Sequence, residues 1–314
     1  MVKVPKGYRS KNVRDTRNSG GSSRRSSSRG FGGRSSTSRG GLSGGSLGGG
    51  GQAQRGGCGI GALLIVGLIL FVLFSGGSTG DSTLPSVASD VGAGTGGSDS
   101  ADEEAAFDLI NFVLDDLQND FWPQEFAAGG LQWEDAMVNV FEDGVNTGGC
   151  GSATSAVGPF YCPADNTAYI DIEYMFLLQE QLGAEGDFSQ AYILAHELGH
   201  HVQNLLGINA ALRQAQSGVG QVEANGLQVG LELQADCFAG AWARSFSDRG
   251  FLDDGDLDEG VNAAGAVGDD AITGSTNQEN FTHGSSAQRI EWFNTGFNEG
   301  TDSCTTFDGS LSPG

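Results

Sequence analysis

Between residues 188 and 206 the apolar positions recur at intervals of three and four: Ala191, Leu194, Ala195, Leu198, Val202 and Leu205 fall on one stripe. That spacing predicts a helix with one buried face over Phe188–Leu206, and Gly207 is a suitable stop. A longer helix is predicted from Val222 to Phe246. A last one, "SSAQRIEWFNTGF", begins at a serine cap and keeps Ile290, Phe293 and Phe297 on one side. Upstream, "EEAAFDLINFVLDDLQNDFW" puts Phe107, Ile110, Phe112, Val113, Leu114 and Leu117 at helical spacing. This helix is expected to end before Pro123, because proline has no N–H for the ladder. Between these, "SAVGPFYCPADNTAYIDIEYMF" turns to aromatic and β-branched residues. Turn residues at Pro163–Asn166 predict an extended hairpin, with a strand at Ala168–Ile172.

The pattern changes before residue 103. Residues 7–57 are Gly, Ser and Arg with almost no large apolar side chains, so they are expected to lack the buried surface that offsets ordering entropy. Ile60–Phe74 is then fifteen residues without a polar side chain. With its Cys, Gly and Ser flanks the run makes about twenty residues, roughly 30 Å of helix, enough to cross a bilayer. The expected organisation is a disordered basic tail (1–57), a single transmembrane helix (58–77), a flexible Gly/Ser/Asp linker (78–102) and a folded domain (103–314). About sixty residues precede the run, which is too long for a secretory n-region, so an uncut anchor is expected.

Charge reinforces this division. The chain has 314 residues and a formal net charge of −23. Residues 1–57 hold twelve Lys and Arg against the single acid Asp15, a balance of +11; the rest holds four Arg, no Lys and thirty-eight acids, −34. The positive-inside rule then places the tail in the cytoplasm and the acidic domain outside the membrane. "SRGFGGRSSTSRGG" has the look of a nucleic-acid-binding segment, but one Phe and one Tyr offer little stacking surface. A solvated tail touching anionic headgroups is expected instead, with no nucleic-acid partner. Cys150, Cys162, Cys237 and Cys304 lie in the exported part, an even number suited to an oxidising compartment. Of three connectivities, Cys150–Cys162 and Cys237–Cys304 are favoured, the first a short loop and the second a tie from the C-terminal tail to a helix. Cys58, at the membrane edge, reads as a small apolar residue or a site of S-acylation.

The candidate chemistry lies in the helix described first. Three of the four histidines in the chain crowd into "AYILAHELGHHVQNLLG". His196 and His200 are four apart and share a helix face, so both imidazoles can reach one cation. Glu197 lies beside that face and can reach a water on the metal without being a ligand, the arrangement of an H-E-x-x-H site. A third ligand is needed. Leu206 stands where a third histidine six residues on would be, and His201 is about 100° round the helix. "GLELQADCFAGAWA" offers Glu232, with Asp236 one turn on to hold the outer nitrogen of a ligand histidine. Two carboxylates in so apolar a helix would be costly without a metal or partners.

"YILAHELGHHVQNLLGI", "LELQADCFAGAWA", "THGSSAQRIEWFNTGF" and "GPFYCPADNTAYID" together resemble the bacterial neutral zinc metallopeptidases over about residues 103–304. The resemblance implies a zincin-like domain of the α+β class in which a mixed sheet and two crossing helices hold one Zn2+ per chain. It implies His196, His200 and Glu232 as ligands and Glu197 as general base. The basic tail is not part of it. His283 matches the family's T-H-G-S segment and is a candidate oxyanion donor, with Arg289 assisting. The structural alternative has His283 capping the last helix and Arg289 pairing with an acid.

The expected function is a membrane-anchored zinc peptidase acting outside the cytoplasmic membrane. It hydrolyses peptide bonds of a peptide or protein substrate with a zinc-activated water and a glutamate base. The substrate is expected to pair with Ala168–Ile172 as an edge strand. The alternative is a catalytically silent zincin-like binding or assembly module of the envelope.

Overall fold

The computed structural model describes residues 1–17, 100–183 and 185–307. The expected membrane run 58–77 lies outside them. Among the described residues no helix is long and apolar enough to cross a membrane.

The architecture is a mixed, helix-rich α+β domain. In chain order its elements are β1 (Val13–Asp15), α1 (Ser100–Asp116), α2 (Trp122–Ala128), β2 (Met137–Phe141), β3 (Gly144–Asn146), β4 (Ser152–Thr154), β5 (Phe160–Cys162) and β6 (Thr167–Asp171). Then follow α3 (Ile172–Leu182), α4 (Asp187–Leu205), α5 (Ile208–Gln216), α6 (Gln221–Asp248), α7 (Asp256–Ala266), α8 (Asp269–Thr273) and α9 (Ser286–Glu299). The three predicted C-terminal helices are α4, α6 and α9, each within a few residues of its expected ends. Ser285 caps α9 in a reciprocal capping box with Gln288.

The first helix does not stop before Pro123. A π turn over Leu117–Phe121 joins α1 to α2, and Pro123 sits in the first turn of α2. There its missing N–H costs little, because the widened turn has already interrupted the ladder.

Strand order in the main sheet is β1-β2-β6-β5. β1 and β2 are parallel, as are β2 and β6, while β5 runs antiparallel to β6 with Tyr161 opposite Ala168. The predicted strand is thus β6, but it lies inside the sheet, and β5 is the edge on that side, with β1 at the other. All five residues of β6 are buried because the sheet is covered on both faces. Ala168 and Ile170 face the main core, whereas Tyr169 stacks on Phe160 at 4.9 Å in a second cluster with Phe141.

Helix α4 is central and contacts the sheet, α1, α6 and α7. Helix α9 lies along α6 at backbone distance. A Cβ on Gly240 would come within 2.0 Å of the Phe293 carbonyl oxygen, and one on Gly296 within 1.8 Å of that of Cys237. Both favoured disulfides are present, Cys150–Cys162 with Cα atoms 5.9 Å apart and Cys237–Cys304 with 5.4 Å. The second ties the segment after α9 to the middle of α6.

Residues 1–17 depart from the expected disorder. They include β1, they bury Val2, Ser10 and Asn12, and Val4 and Val13 pack against the core. Composition misled here because these residues borrow their buried surface from the acidic domain rather than supplying it themselves.

Candidate metal centre

The site forms where α4 crosses α6. Gly199, inside the H-E-x-x-H segment, makes the crossing close: a Cβ there would lie 3.0 Å from Ala235 Cα and 3.1 Å from its carbonyl oxygen. That contact sets Glu232, three residues before Ala235, opposite both histidines. His196 Nε2 is 3.2 Å from Glu232 Oε2, and His200 Nε2 is 3.5 Å from the same oxygen. One ligand atom from each of His196, His200 and Glu232 falls within 4.8 Å of the others. Two imidazoles and a carboxylate, all aimed at one point, are a donor set suited to zinc with an open fourth position.

The outer nitrogens are held as well. His196 Nδ1 donates to Asp236 Oδ1 at 2.8 Å. Asp236 is fully buried and also accepts from Tyr192 Oη at 2.6 Å and from Arg289 through Nε and Nη2, each at 2.8 Å. His200 Nδ1 donates to Gln203 Oε1 at 2.8 Å, and Gln203 is fixed by donating to the Leu231 carbonyl at 2.7 Å. Both histidines therefore keep Nε2 turned to the metal position. Gln203 was missed in the sequence, although its place three residues after His200 on the same face was visible.

Electrostatics follow from this geometry. Burial alone would lower the His196 pKa, but Asp236 and Glu232 outweigh it and push it up to about 9. Burial works to raise the Glu232 pKa, yet the two imidazoles hold it well below the usual carboxylate range. A proton and a divalent cation compete for the same atoms here. Burial raises the Glu197 pKa. The residue is buried, and it is among those that line the cleft.

His283 lines the same cleft. Asp269, which the sequence reading did not single out, faces its Nδ1 at 3.1 Å. Asp269 also accepts the backbone N–H groups of Thr282, His283 and Gly284, which fixes the loop that carries the imidazole. Arg289 is placed differently from the expected second oxyanion donor. It is buried, and its guanidinium is engaged by Asp236, Tyr192 and the Val267 carbonyl. This is the structural alternative, an Arg–acid pair that braces the partner of His196. His201 points away from the metal position: Tyr161 Oη donates to its Nδ1 at 2.8 Å, and its Nε2 donates to the Glu134 carbonyl at 2.7 Å. It ties α4 to the edge strand β5.

Two imidazoles from α4 and a carboxylate from α6, beside a mixed sheet, form a donor set of the H-E-x-x-H kind that could hold one metal ion. The chain belongs to the family described as "Putative neutral zinc metallopeptidase", which it matches over residues 3–307. That match begins within the basic tail, which the sequence resemblance had left out. The chain is similar to "Uncharacterized protein YpfJ" of Escherichia coli (strain K12), 44% identical over 217 residues, covering 68% of this chain and 75% of that protein. It is also similar to "Uncharacterized protein Rv2575" of Mycobacterium tuberculosis, 46% identical over 186 residues, 54% of this chain and 61% of that one. No solved structure matches the chain.

Proposed function

We propose that this protein is a zinc-dependent peptidase with a zincin-like catalytic domain. The observation that carries the proposal is the convergence of His196, His200 and Glu232 within 4.8 Å, with Glu197 beside them in the lining of the cleft. Zinc, when bound by these three residues, supplies Lewis-acid polarisation of a water and of the scissile carbonyl.

The rest falls to the chain's own residues. Glu197 takes a proton from the attacking water and returns it to the leaving amine. His283, oriented by Asp269, donates toward the oxygen that gains charge as the carbonyl is attacked. Asp236, Arg289 and Tyr192 keep His196 in one tautomer and one orientation. The substrate pairs with β5 rather than with β6, because Phe160 and Tyr161 line the cleft and β5 has no strand partner on its outer side among the described residues. Tyr174, Leu178, Ile193, Val267 and Ile272 give this cleft an apolar wall, which suits a peptide with an apolar side chain next to the scissile bond. The place of action we propose is outside the cytoplasmic membrane, a reading supported by the two disulfides.

Zinc content and casein hydrolysis of the purified chain, with and without chelator, test the proposal together with Glu197→Gln. The variant should keep its zinc and lose about 10²–10⁴ in turnover, the usual contribution of a general base. Hydrolysis unchanged in the variant, or none in a zinc-loaded wild type, would leave the silent binding module as the better reading.

A further inference from the structure

The N-terminal segment and the catalytic domain form one sheet, and this bears on how the chain can sit at a membrane. β1 pairs in parallel with β2, Val13 opposite Val138, Arg14 opposite Asn139 and Asp15 opposite Val140. The pairing extends at both ends, with Val138 N–H donating to the Asn12 carbonyl at 2.9 Å and Thr16 N–H to the Val140 carbonyl at 2.8 Å. Side chains of α1 take up the residues before the strand. Gly7 N–H donates to Asp108 at 2.7 Å, Tyr8 Oη to Asp115 at 3.0 Å and Ser10 N–H to Asn111 at 2.9 Å. Arg9 pairs with Glu104 and Asp108. Arg9 and Arg17 both lie over the Phe107 ring, at 4.8 and 4.6 Å, and Tyr8 meets Phe112 edge-on at 5.5 Å. The basic end of the chain thus has a complementary acidic and aromatic seat on α1, and the charge split has a partner inside the molecule. The family match begins at residue 3, so this segment belongs to what the family shares.

Arg17 and Ser100 line one cleft together with Glu103 and Glu104. The ends of the two described segments, Arg17 and Ser100, therefore lie at the same face. A single crossing between residues 17 and 100 would put β1 and β2 on opposite sides of a bilayer, where no backbone hydrogen bond could join them. We propose that residues 1–17 are a structural strand of the catalytic domain and lie on the same side of any membrane as it does. Arg9 and Arg17 of the segment dock to α1, Lys3 pairs with Asp253 and Lys11 with Asp135, so these charges have partners inside the folded domain.

Two measurements on the full-length chain test this. The first is labelling with a membrane-impermeant maleimide in intact cells, in a Cys58→Ser background carrying either Lys6→Cys or Asp248→Cys; both positions are exposed. The expected result is equal labelling of the two before and after permeabilisation. Labelling of Asp248→Cys in intact cells with Lys6→Cys reached only after permeabilisation, or the reverse, overturns the proposal. The second is thermal unfolding of Arg9→Glu, Asp108→Arg and the double variant. Each single variant should melt lower than wild type, and the double variant should recover part of the loss. Single variants that melt like wild type would show that the segment is not docked, and would overturn the proposal without touching the peptidase reading.

Discussion

Two histidine–carboxylate pairs flank the same cleft, and their difference shows how burial assigns roles to identical chemistry. His196 and Asp236 are 2.8 Å apart, with side chains 9% and 0% exposed. His283 and Asp269 are 3.1 Å apart, with side chains 26% and 12% exposed. Asp236 is a carboxylate in the core, so its charge must be answered by a buried cation, and Arg289 supplies it through two hydrogen bonds. Asp269 is met instead by three backbone N–H groups and one imidazole at the start of α8, a cheaper arrangement near solvent. The first pair is part of the frame of the protein and holds the His196 ring still. The second leaves the His283 imidazole at the wall of the cleft.

The largest expected effect breaks the frame. Asp236→Ala leaves Arg289 buried without its partner and should cost about 3–5 kcal/mol of unfolding free energy in a denaturant titration. A loss within the range of an ordinary surface change, about 0.5 kcal/mol, would show that Asp236 is not the frame. His283→Ala should leave zinc content unchanged, lower the melting temperature by no more than the loss of its contact with Asp269, and lower kcat by about 10²–10³, the loss typical of one oxyanion donor. If instead melting temperature fell while specific activity held, the two pairs would be alike after all. Gln203→Ala removes the group that orients His200. Zinc affinity, measured by competition with a chelator, should weaken by about 10–100-fold with the fold intact.

The smallest effect is a pH dependence. Burial acts to raise the Asp269 pKa, but His283 and the backbone donors outweigh it and hold it below the ordinary value. A carboxylate depressed in the folded state adds stability above its unfolded pKa of about 3.9, and that stability is lost as pH falls through the folded value. The melting-temperature gap between wild type and Asp269→Asn should therefore be widest near neutral pH and close as acid is added below about 4. A gap that widened in acid would reverse the assigned sign.

Much of this site was legible because it is local. His196, Glu197 and His200 are bound by helix geometry, and Glu232 and Asp236 by the same four-residue step on α6. The capping serine and both disulfide pairings were also read from the chain. Asp269 was not, because it lies fourteen residues from His283 and no periodicity links a loop imidazole to a helix start. Arg289 was seen, but its partner was not: the many acids of this chain gave no means of choosing among them until α9 packed on α6.

The sequence by itself determined the class of fold, the three C-terminal helices and the residues that meet at the candidate metal centre, since each depends on spacing within one element or on two neighbouring helices. Tertiary structure alone decided that β6 is internal and β5 the edge, because strand order comes from long-range pairing that no alternation pattern encodes. It also decided the place of residues 1–17. Their own composition cannot bury a core, but α1 and β2 offer acids, rings and free backbone groups that complete them, and that complement lies more than eighty residues away along the chain.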